Sequence, residues 1–532
     1  MHRRRITIID IIANKPAKRL YARLMNPNFA NIMPQVLGVW CEQLGHEVRF
    51  VSYTGVEDLH REVLEETDIV FISAFSASAQ LAYAIGNLYR QRGTVTVLGG
   101  PHARCYPEDA ARFFDYVLGL TDKPLVEDVL RDPAPQRPLG RQLSAKAQPA
   151  YLPGVRERWK FIAPTIAKTP LVKIVPMIGS TGCPYTCSFC IDSVVKYQTL
   201  GFDQIREDLA FLLTKMRRPR VGWHDPNFGV RFDEYLTAIE ESIPRGRQID
   251  FLAESSLSLL SEKRLERLRR NGFKAILPGI ESWYEMGNKS KSGRNAGMDK
   301  VVQISEHVNQ ILRYIPFVQT NFILGLDCDE GAEPFELTKR FMERAPGAFP
   351  AFSFFTAYGQ AAPLNLELQR AGRVLPLPFH LLNSTRGMNI RPLNYDWADF
   401  FGHARDLTAF ALSGAQIRRR FGSGSGLLPK SIGALRAATS KKVAYYATLE
   451  RLLREDTSMR AYFEGESTEL PEFFRNKIRN DLGPFWDALP PGALEHDPYA
   501  YLKNVDARSQ TRADAAAPEP VAAAAGAGQP SY

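Results

Sequence analysis

The chain has 532 residues, of which 45% are hydrophobic and 23% charged, a balance that excludes a fibrous or largely disordered protein. Six cysteines are too few for a disulfide framework at this length, and no apolar run reaches the ~18 residues of a membrane helix. The net charge of +9 comes without a basic stripe interleaved with aromatics, so we expect no nucleic-acid partner.

Residues 1–135 alternate short apolar runs with helical patterns. The first run, 6–12, contains Asp10 and lacks a small-residue cleavage site, so it predicts a strand rather than a signal peptide, in a cytoplasmic protein. The alternation predicts a doubly wound parallel sheet, whose ligands bind at the carboxyl ends of the strands. The predicted strands are 6–12, 47–51, 68–73, 94–98 and 115–119, and the predicted helices are 31–44, 58–66, 77–92 and 124–131.

The rest of the chain divides by composition. Residues 136–170 are rich in Pro, Arg and Gln without periodicity, which predicts a linker. Residues 171–385 resume the strand and helix rhythm for about six units, and residues 386–505 mix aromatics with basic helices, which predicts a mainly helical region. Residues 506–532 are rich in Ala and Pro, which predicts a disordered tail.

Three cysteines lie in one short loop after the predicted strand at 171–178. Cys183, Cys187 and Cys190 have the spacing C-x3-C-x2-C. Three soft thiolates can hold three corners of an iron–sulfur cluster and leave one iron without a protein ligand. A structural zinc site with His224 as a distant fourth ligand, or a disulfide, are the alternatives. The remaining cysteines, Cys41, Cys105 and Cys328, are expected to be small buried apolar residues.

With Phe189 just before the last cysteine, this loop resembles the signature of the radical S-adenosylmethionine (SAM) superfamily. The resemblance implies a partial (β/α)6 barrel and a four-iron four-sulfur cluster on the three cysteines, with SAM chelating the open iron. It also implies reductive cleavage of SAM to a 5′-deoxyadenosyl radical, with an external electron donor such as flavodoxin or ferredoxin.

Further landmarks of that family follow in order along the chain. Residues 225–228 read Asp-Pro-Asn-Phe, residues 279–282 read Gly-Ile-Glu-Ser, and residues 322–326 read Phe-Ile-Leu-Gly-Leu. The last segment continues Asp-Cys-Asp-Glu where the family usually has Pro-Gly-Glu-Thr. The resemblance implies that cofactor contacts come from a set at these strand ends: Phe189, Asp225, Asn227, Glu281, Ser282 and Gly325.

The N-terminal region is similar to the cobalamin-binding-like domain that precedes many radical SAM domains. The similarity lies in Gly-His-Glu-Val at 45–48, Leu-Gly-Gly-Pro-His at 98–102 and Tyr-Val-Leu-Gly at 116–119. The D-x-H-x-x-G motif is absent, because Asp58 and His60 are followed by Val63 where the glycine belongs. The resemblance implies cobalamin contacts at the loops after the strands, from Ser73, Ser76, Gly99, Gly100 and Gly119.

Together these resemblances imply a cobalamin-dependent methyltransferase that acts on an unactivated carbon of a small molecule, a lipid or a natural product. Two alternatives stay open: a radical SAM cyclase, oxidase or rearrangement enzyme without methyl transfer, and a non-enzymatic iron–sulfur protein. The N-terminal region could also have lost cobalamin and only shape the substrate pocket. Asn394, Tyr395, Asp396 and His403 are candidate substrate contacts, although surface or core roles are more common for such residues.

Overall fold

The computed structural model describes residues 3–16, 30–63, 65–132, 140–169, 172–284, 296–423 and 427–507. The predicted tail lies outside the described residues apart from 506 and 507. Within these ranges, no helix combines the length and the apolar character that crossing a bilayer requires.

The N-terminal sheet has six parallel strands: β1 (Arg5–Ile11), β2 (Glu47–Tyr53), β3 (Ile69–Ser73), β4 (Val95–Gly99), β5 (Tyr116–Leu118) and β6 (Arg141–Leu143). Their order in the sheet is β2-β1-β3-β4-β5-β6. The helices of this region are α1 (Ile32–Gln43), α2 (Leu59–Val63), α3 (Ala79–Arg90), α4 (Pro101–Cys105), α5 (Pro107–Ala111), α6 (Lys123–Arg131) and α7 (Val155–Ala167).

Helices cover both faces of this sheet. Ile6 and Ile8 of β1 belong to the apolar core that contains Trp40 of α1. The alternate residues Ile9 and Ile11 belong to the larger core on the α3 side. Because successive side chains of a strand point to opposite faces, β1 is apolar on both, as expected for a buried parallel sheet. The predicted doubly wound sheet is confirmed.

The segment 136–170, predicted to be an irregular linker, instead carries two regular elements. β6 pairs with β5 as the sixth strand, and α7 packs against α1, where a Cβ on Gly38 would come within 2.7 Å of Phe161. The sequence hides both elements. β6 is only three residues long and shows no buried alternation, and α7 contains Pro164, which argues against a helix interior. The boundaries between domains stay a prediction.

The second sheet is an open parallel barrel with six strand positions, as predicted. Its strands are β7 (Val175–Met177), β10 (Arg220–Trp223), β11 (Asp250–Glu254), β12 (Phe273–Leu277), β13 (Gly279–Glu281), β14 (Phe317–Leu324) and β15 (Phe349–Phe354), and β8 (Ser180–Thr181) and β9 (Gln198–Thr199) form a separate antiparallel pair. The order in the sheet is β7-β10-β11-β12-β14, with β13 and β15 on either side of the later part of β14. Pro278 divides the fourth position into β12 and β13.

Helices surround the barrel and make up most of the C-terminal region, as predicted. Trp397, Phe400 and Phe401 lie on the buried face of the helix Trp397–Ala411, which packs against the helix Lys442–Glu455. The helices are α8 (Phe202–Lys215), α9 (Phe232–Ser242), α10 (Glu262–Arg270), α11 (Gly297–Tyr314), α12 (Glu333–Arg344), α13 (Leu364–Arg370), α14 (Trp397–Ala411), α15 (Gly414–Gly422), α16 (Leu427–Thr439), α17 (Lys442–Glu455), α18 (Thr457–Glu464) and α19 (Glu472–Leu482).

Candidate active site

The three-cysteine loop leaves the carboxyl end of β7 and is closed at its base. β8 and β9 pair antiparallel on either side of it. Gly182 has φ +67°, and a Cβ there would lie 2.3 Å from the carbonyl oxygen of Val195. Only glycine permits the two ends of the loop to pass this closely. The loop of residues 182–197 is therefore held as a compact unit at the edge of the barrel.

Within this loop Cys183 and Cys187 are buried and Cys190 is partly exposed. The amide of Cys190 donates to the carbonyl of Cys187 at 3.0 Å, which curls the chain between them. None of the six cysteines, all of them within the described ranges, forms a disulfide. Among the described residues, no three His, Cys, Asp or Glu side chains are grouped to hold one metal ion. A four-iron cluster offers a separate iron to each thiolate, so the loop fits a cluster better than a single zinc ion.

Contacts from two other regions fix the loop. The Arg104 guanidinium of α4 donates to the carbonyl of Ile191 at 3.1 Å, and the amide of Leu364 donates to the carbonyl of Ser188 at 3.0 Å. Phe189 is partly buried and packs against the main apolar core. The N-terminal region and the segment after β15 thus both touch the cysteine loop.

Asp225 positions the chain that leads into this loop. Its buried carboxylate accepts from the amide of Gly179 at 3.0 Å, from Ser180 Oγ at 2.6 Å and from the Tyr235 hydroxyl. Burial raises the pKa of Asp225, although these donors oppose the shift. Both carboxylate oxygens are engaged within the protein, so Asp225 supports the loop rather than offering a free ligand atom.

Asn227, two residues further on, keeps one polar group without a partner. Its Oδ1 accepts from the amide of Ser256 at 2.9 Å. Its Nδ2 is buried and has no hydrogen-bond partner within the described part of the chain. An unpaired buried donor is costly, so such an atom indicates a missing acceptor.

The ends of β13 and β14 place Glu281, Ser282 and Gly325 at the same edge. Glu281 has φ +65°, an uncommon conformation for a residue with a side chain. The Ser282 hydroxyl accepts from the amide of Tyr284 at 3.1 Å and lies 3.5 Å from Cys328 Sγ. The expectation that Cys328 is buried was wrong, because it sits in the exposed turn after β14.

Asp329 anchors that turn by accepting from the amides of Gly325 and Leu326, each at 3.1 Å. Gly325 has φ +82°, and a Cβ there would lie 2.8 Å from Phe400. Burial raises the pKa of Asp329 to about 6. The backbone at the end of β14 is therefore fixed by one carboxylate and close packing.

A cavity of about 280 Å³ opens at the carboxyl edge of the N-terminal sheet. Four of the five residues predicted to bind a ligand there line it: Ser73, Gly99, Gly100 and Gly119. Ile8, Phe71 and Leu37 make its apolar floor, while Ile178 and His224 from the barrel complete its wall. The cavity thus lies between the two sheets.

Ser76 is the predicted ligand contact that does not line this cavity. It is buried, and its Oγ lies 3.4 Å from Nδ1 of His102, whose Nε2 lies 2.6 Å from the Tyr83 hydroxyl. Because the chain turns into a short 3-10 helix at Ser76–Ser78, the side chain of Ser76 points into this hydrogen-bonded core. The loop after β3 contributes Ser73 instead.

Two residues of this site were not predicted to border the N-terminal cavity: His224, which the sequence offered only as a zinc ligand, and Arg104. Both line the cavity. Burial and, secondarily, the charge of Arg158 lower the pKa of His224 to about 4, so its imidazole is neutral at pH 7. The signal in the sequence was position, since His224 directly follows the strand Arg220–Trp223 and Arg104 follows the Gly-Gly-Pro-His segment at 99–102.

Three of the four candidate substrate contacts after β15 make contacts within the protein. Asn394 donates to the carbonyls of Asp327 and Asp329, both at 3.0 Å. Asp396 caps α14 by accepting from the amide of Ala398 at 2.8 Å, and the ring of His403 stacks on Phe335. Tyr395 differs, because its buried hydroxyl has no partner within the described residues.

Comparison with known proteins adds a family and two kinds of relative. A family model described as the radical SAM superfamily matches residues 177–327. Bacteriochlorophyllide d C-12(1)-methyltransferase of Chlorobaculum tepidum is 21% identical over 301 residues, which is 55% of this chain and 64% of that protein. The C-8(2)-methyltransferase of the same organism is 25% identical over 306 residues, 55% of this chain and 66% of that protein. The chain thus spans slightly less than two thirds of each relative.

Two solved structures share the fold over most of the chain. The radical SAM methyltransferase TsrM from Kitasatospora setae, with cobalamin and a four-iron four-sulfur cluster bound, has a TM-score of 0.54 at 12% identity and covers 87% of this chain and 100% of its own. The cobalamin-dependent SAM radical enzyme OxsB, with aqua-cobalamin bound, has a TM-score of 0.53 at 12% identity and covers 96% of this chain and 84% of its own. At these identities the likeness concerns the fold.

Proposed function

We propose that this chain, whose residues 177–327 form a domain of the radical SAM superfamily, is a cobalamin-dependent methyltransferase acting on an unactivated carbon of a small molecule. One observation carries the proposal. Arg104 lines the cavity of the N-terminal sheet and also donates to the backbone of the three-cysteine loop. The places suited to a corrin and to an iron–sulfur cluster are therefore neighbours.

Cys183, Cys187 and Cys190 are the residues that would hold the cluster. Bound there, a four-iron four-sulfur cluster would supply the electron that cleaves SAM. The protein contributes a dry loop, since two of the three thiols are buried, and a fixed backbone, because Asp225, Arg104 and Leu364 each tether the loop or its approach. Exclusion of water protects a reactive radical from side reactions.

The ends of β10, β13 and β14 provide the groups that would hold SAM. Asn227 offers an unpaired amide donor to an acceptor of the cofactor, and Glu281 and Ser282 offer polar groups to its ribose and amino acid moiety. The turn at Gly325 brings backbone close to that site without a side chain. These contacts remain a proposal, supported by their shared place at the carboxyl edge of the barrel.

The cavity at Ser73, Gly99, Gly100 and Gly119 would take part of a corrin. Its volume of about 280 Å³ suits one end of such a cofactor, and its apolar floor and small rim residues permit close approach. Bound there, cobalamin would carry the methyl group. His60, the histidine of the incomplete motif, stacks on Phe485 rather than lining this cavity.

The partners follow from this chemistry. A small-molecule substrate would lie between the two carboxyl edges, and an external reductant such as flavodoxin or ferredoxin would supply electrons in the cytoplasm, where a reduced cluster survives. The bacteriochlorophyllide methyltransferases among the relatives make a methyl acceptor with a large ring one option.

Anaerobic reconstitution tests the proposal. We expect about four irons per chain, retention of added hydroxocobalamin, and release of both 5′-deoxyadenosine and S-adenosylhomocysteine from SAM. Cys187→Ala should lose iron and both products, whereas Cys328→Ser, which changes a thiol outside the loop, should keep its iron.

Other outcomes assign the alternatives. Release of 5′-deoxyadenosine alone, without retained corrin, would move the protein to radical chemistry without methyl transfer. Bound iron without any SAM cleavage would leave a non-enzymatic iron–sulfur protein. Iron retained by Cys187→Ala would remove the basis of the proposal.

A further inference from the structure

Charged side chains bridge the carboxyl edges of the two sheets at one place. Lys15 lies shortly after the end of β1. Arg386 lies just beyond Ser384, whose carbonyl accepts from the amide of Phe354 at the end of β15 at 2.6 Å. Lys477 and Asp481 come from α19, and His380 from the 3-10 helix Phe379–Leu381, which contacts Ser76–Ser78. We name these five side chains the Asp481 cluster.

The geometry of the Asp481 cluster is that of one carboxylate among several cations. Asp481 Oδ2 lies 3.1 Å from His380 Nε2, 3.3 Å from Arg386 Nη1 and 3.4 Å from Lys477 Nζ. Its Oδ1 lies 3.6 Å from Lys15 Nζ. Within the described ranges, no second carboxylate lies within 4 Å of the charged nitrogens of Lys15, Arg386 and Lys477. The cluster therefore carries more positive than negative charge.

This excess charge is partly withdrawn from water. The side chains of Arg386 and Lys477 are only 16% and 22% exposed. Burial, followed by the charge of Arg386, lowers the pKa of Lys15 to about 8, and burial lowers the pKa of Lys477. Burial also keeps the pKa of His380 below its usual range, so this imidazole adds no positive charge at pH 7. Unbalanced charge in such surroundings is unfavourable until a counter-ion joins it.

We propose that the Asp481 cluster binds an oxyanion of the substrate, a carboxylate or a phosphate group. The inference rests on the proposed function, because it takes the space between the two carboxyl edges as the substrate site. Lysine and arginine are the usual donors to such groups. The substrate would then be an acid whose anionic end is held by Lys15, Arg386 and Lys477.

Equilibrium dialysis of the reconstituted full chain against labelled inorganic phosphate, at constant ionic strength, tests the site. Lys15→Met should weaken phosphate binding about fivefold, since it removes one charged donor from a partly exposed place. Asp481→Asn should tighten it about threefold, because it removes the competing carboxylate. Arg218→Gln, which removes a surface cation paired with Asp250, is the matched control and should leave binding unchanged.

The test is decisive because Lys15→Met and Asp481→Asn are expected to change phosphate affinity in opposite directions. The proposal is overturned if wild type binds neither phosphate nor acetate, if Lys15→Met and Arg218→Gln weaken binding equally, or if Asp481→Asn weakens it while remaining folded. Phosphate binding needs no SAM cleavage, so loss of the enzymatic proposal and loss of this site are separate results.

The cofactor is the other source of a phosphate group, and competition distinguishes it. Hydroxocobalamin contains a phosphodiester, whereas cobinamide lacks it. If neither corrin displaces phosphate, the site is free for a substrate. If hydroxocobalamin displaces phosphate and cobinamide does not, the cluster binds the cofactor and its assignment to the substrate is overturned.

Discussion

The carboxyl edges of the two sheets use their residues in different ways. At the barrel edge, Asp225 and Asp329 accept hydrogen bonds from the backbone of the loops that follow the strands. At the N-terminal edge, Gly99, Gly100 and Gly119 border a cavity and offer no side chains. The barrel edge therefore holds its loops in place, whereas the N-terminal edge leaves an open cavity.

This difference separates two kinds of substitution. A change that removes a loop anchor at the barrel edge, such as the carboxylate of Asp225, should lower stability and cofactor retention together. A change at the N-terminal edge fills space, so we expect it to lower the affinity for a corrin and leave the fold intact. Single substitutions at either edge can therefore distinguish residues that anchor loops from residues that border the cavity.

Asp225→Asn should have the largest effect. Every neighbour of the carboxylate is a donor, so the amide nitrogen of asparagine would face either Gly179 or the pair of Ser180 and Tyr235. We expect a loss of roughly 2–4 kcal/mol in unfolding free energy and a fall in bound iron. Asp233→Asn, whose carboxylate is 80% exposed, is the control. Wild-type iron content in Asp225→Asn would show that the loop does not depend on this anchor.

Gly99→Leu should act on the cavity alone. A Cβ at Gly99 meets nothing within 4 Å, and its φ is not in the left-handed region, so a side chain would extend into the open space. We expect the affinity for hydroxocobalamin to fall about tenfold or more, because the leucine side chain would clash with a corrin in the cavity. The midpoint of thermal unfolding should stay unchanged. Gly422→Leu adds the same side chain in open space at the end of α15 and should leave corrin binding as in wild type. Equal corrin affinity in both variants would place the cofactor elsewhere.

Asn227→Asp tests the unpaired donor at the barrel edge. The substitution keeps the oxygen that accepts from Ser256 and replaces the buried Nδ2. We expect SAM affinity, measured by dialysis on the reconstituted protein, to fall about tenfold, since one buried hydrogen bond to the cofactor is lost. Asn309→Asp removes a partly exposed amide donor of α11, which contacts the carbonyl of Arg344 at 2.9 Å, and should leave SAM affinity unchanged. An affinity within twofold of wild type would mean that the donor has another partner.

Much of this fold was predictable because its elements are strongly periodic. The helix predicted at 31–44 is observed at Ile32–Gln43 and the helix predicted at 77–92 at Ala79–Arg90, and both are rich in buried apolar residues. The three-residue strand Arg141–Leu143 was not, because it has too few residues for a period and is held by pairing with Tyr116–Leu118. Pairing across the sequence leaves no local trace.

The candidate site divides along the same line. Cys183, Cys187 and Cys190 are recognisable because one short loop holds all three. The Asp481 cluster is not, because Lys15 and Asp481 lie near opposite ends of the chain and meet only in the folded protein. Ser76 was misplaced because a strand end specifies which loop faces a ligand and leaves open which side chain of that loop turns inward.

Asp329→Asn keeps the anchor of its turn, so its effect on stability should appear only as the pH rises. Burial raises the pKa of Asp329 from 3.8 to about 6, so the folded protein keeps a proton that the unfolded chain loses earlier. The stability this gives is complete below about pH 4 and is lost as pH rises through about 6. Asparagine does not titrate and can still accept from Gly325 and Leu326 through its oxygen. Between pH 4.5 and 7.5, chemical unfolding should therefore show the unfolding free energy of the variant rising relative to that of wild type by on the order of 2 kcal/mol. Parallel curves would mean that Asp329 is ionised throughout, and that the amides at the end of β14 hold a carboxylate in spite of its burial.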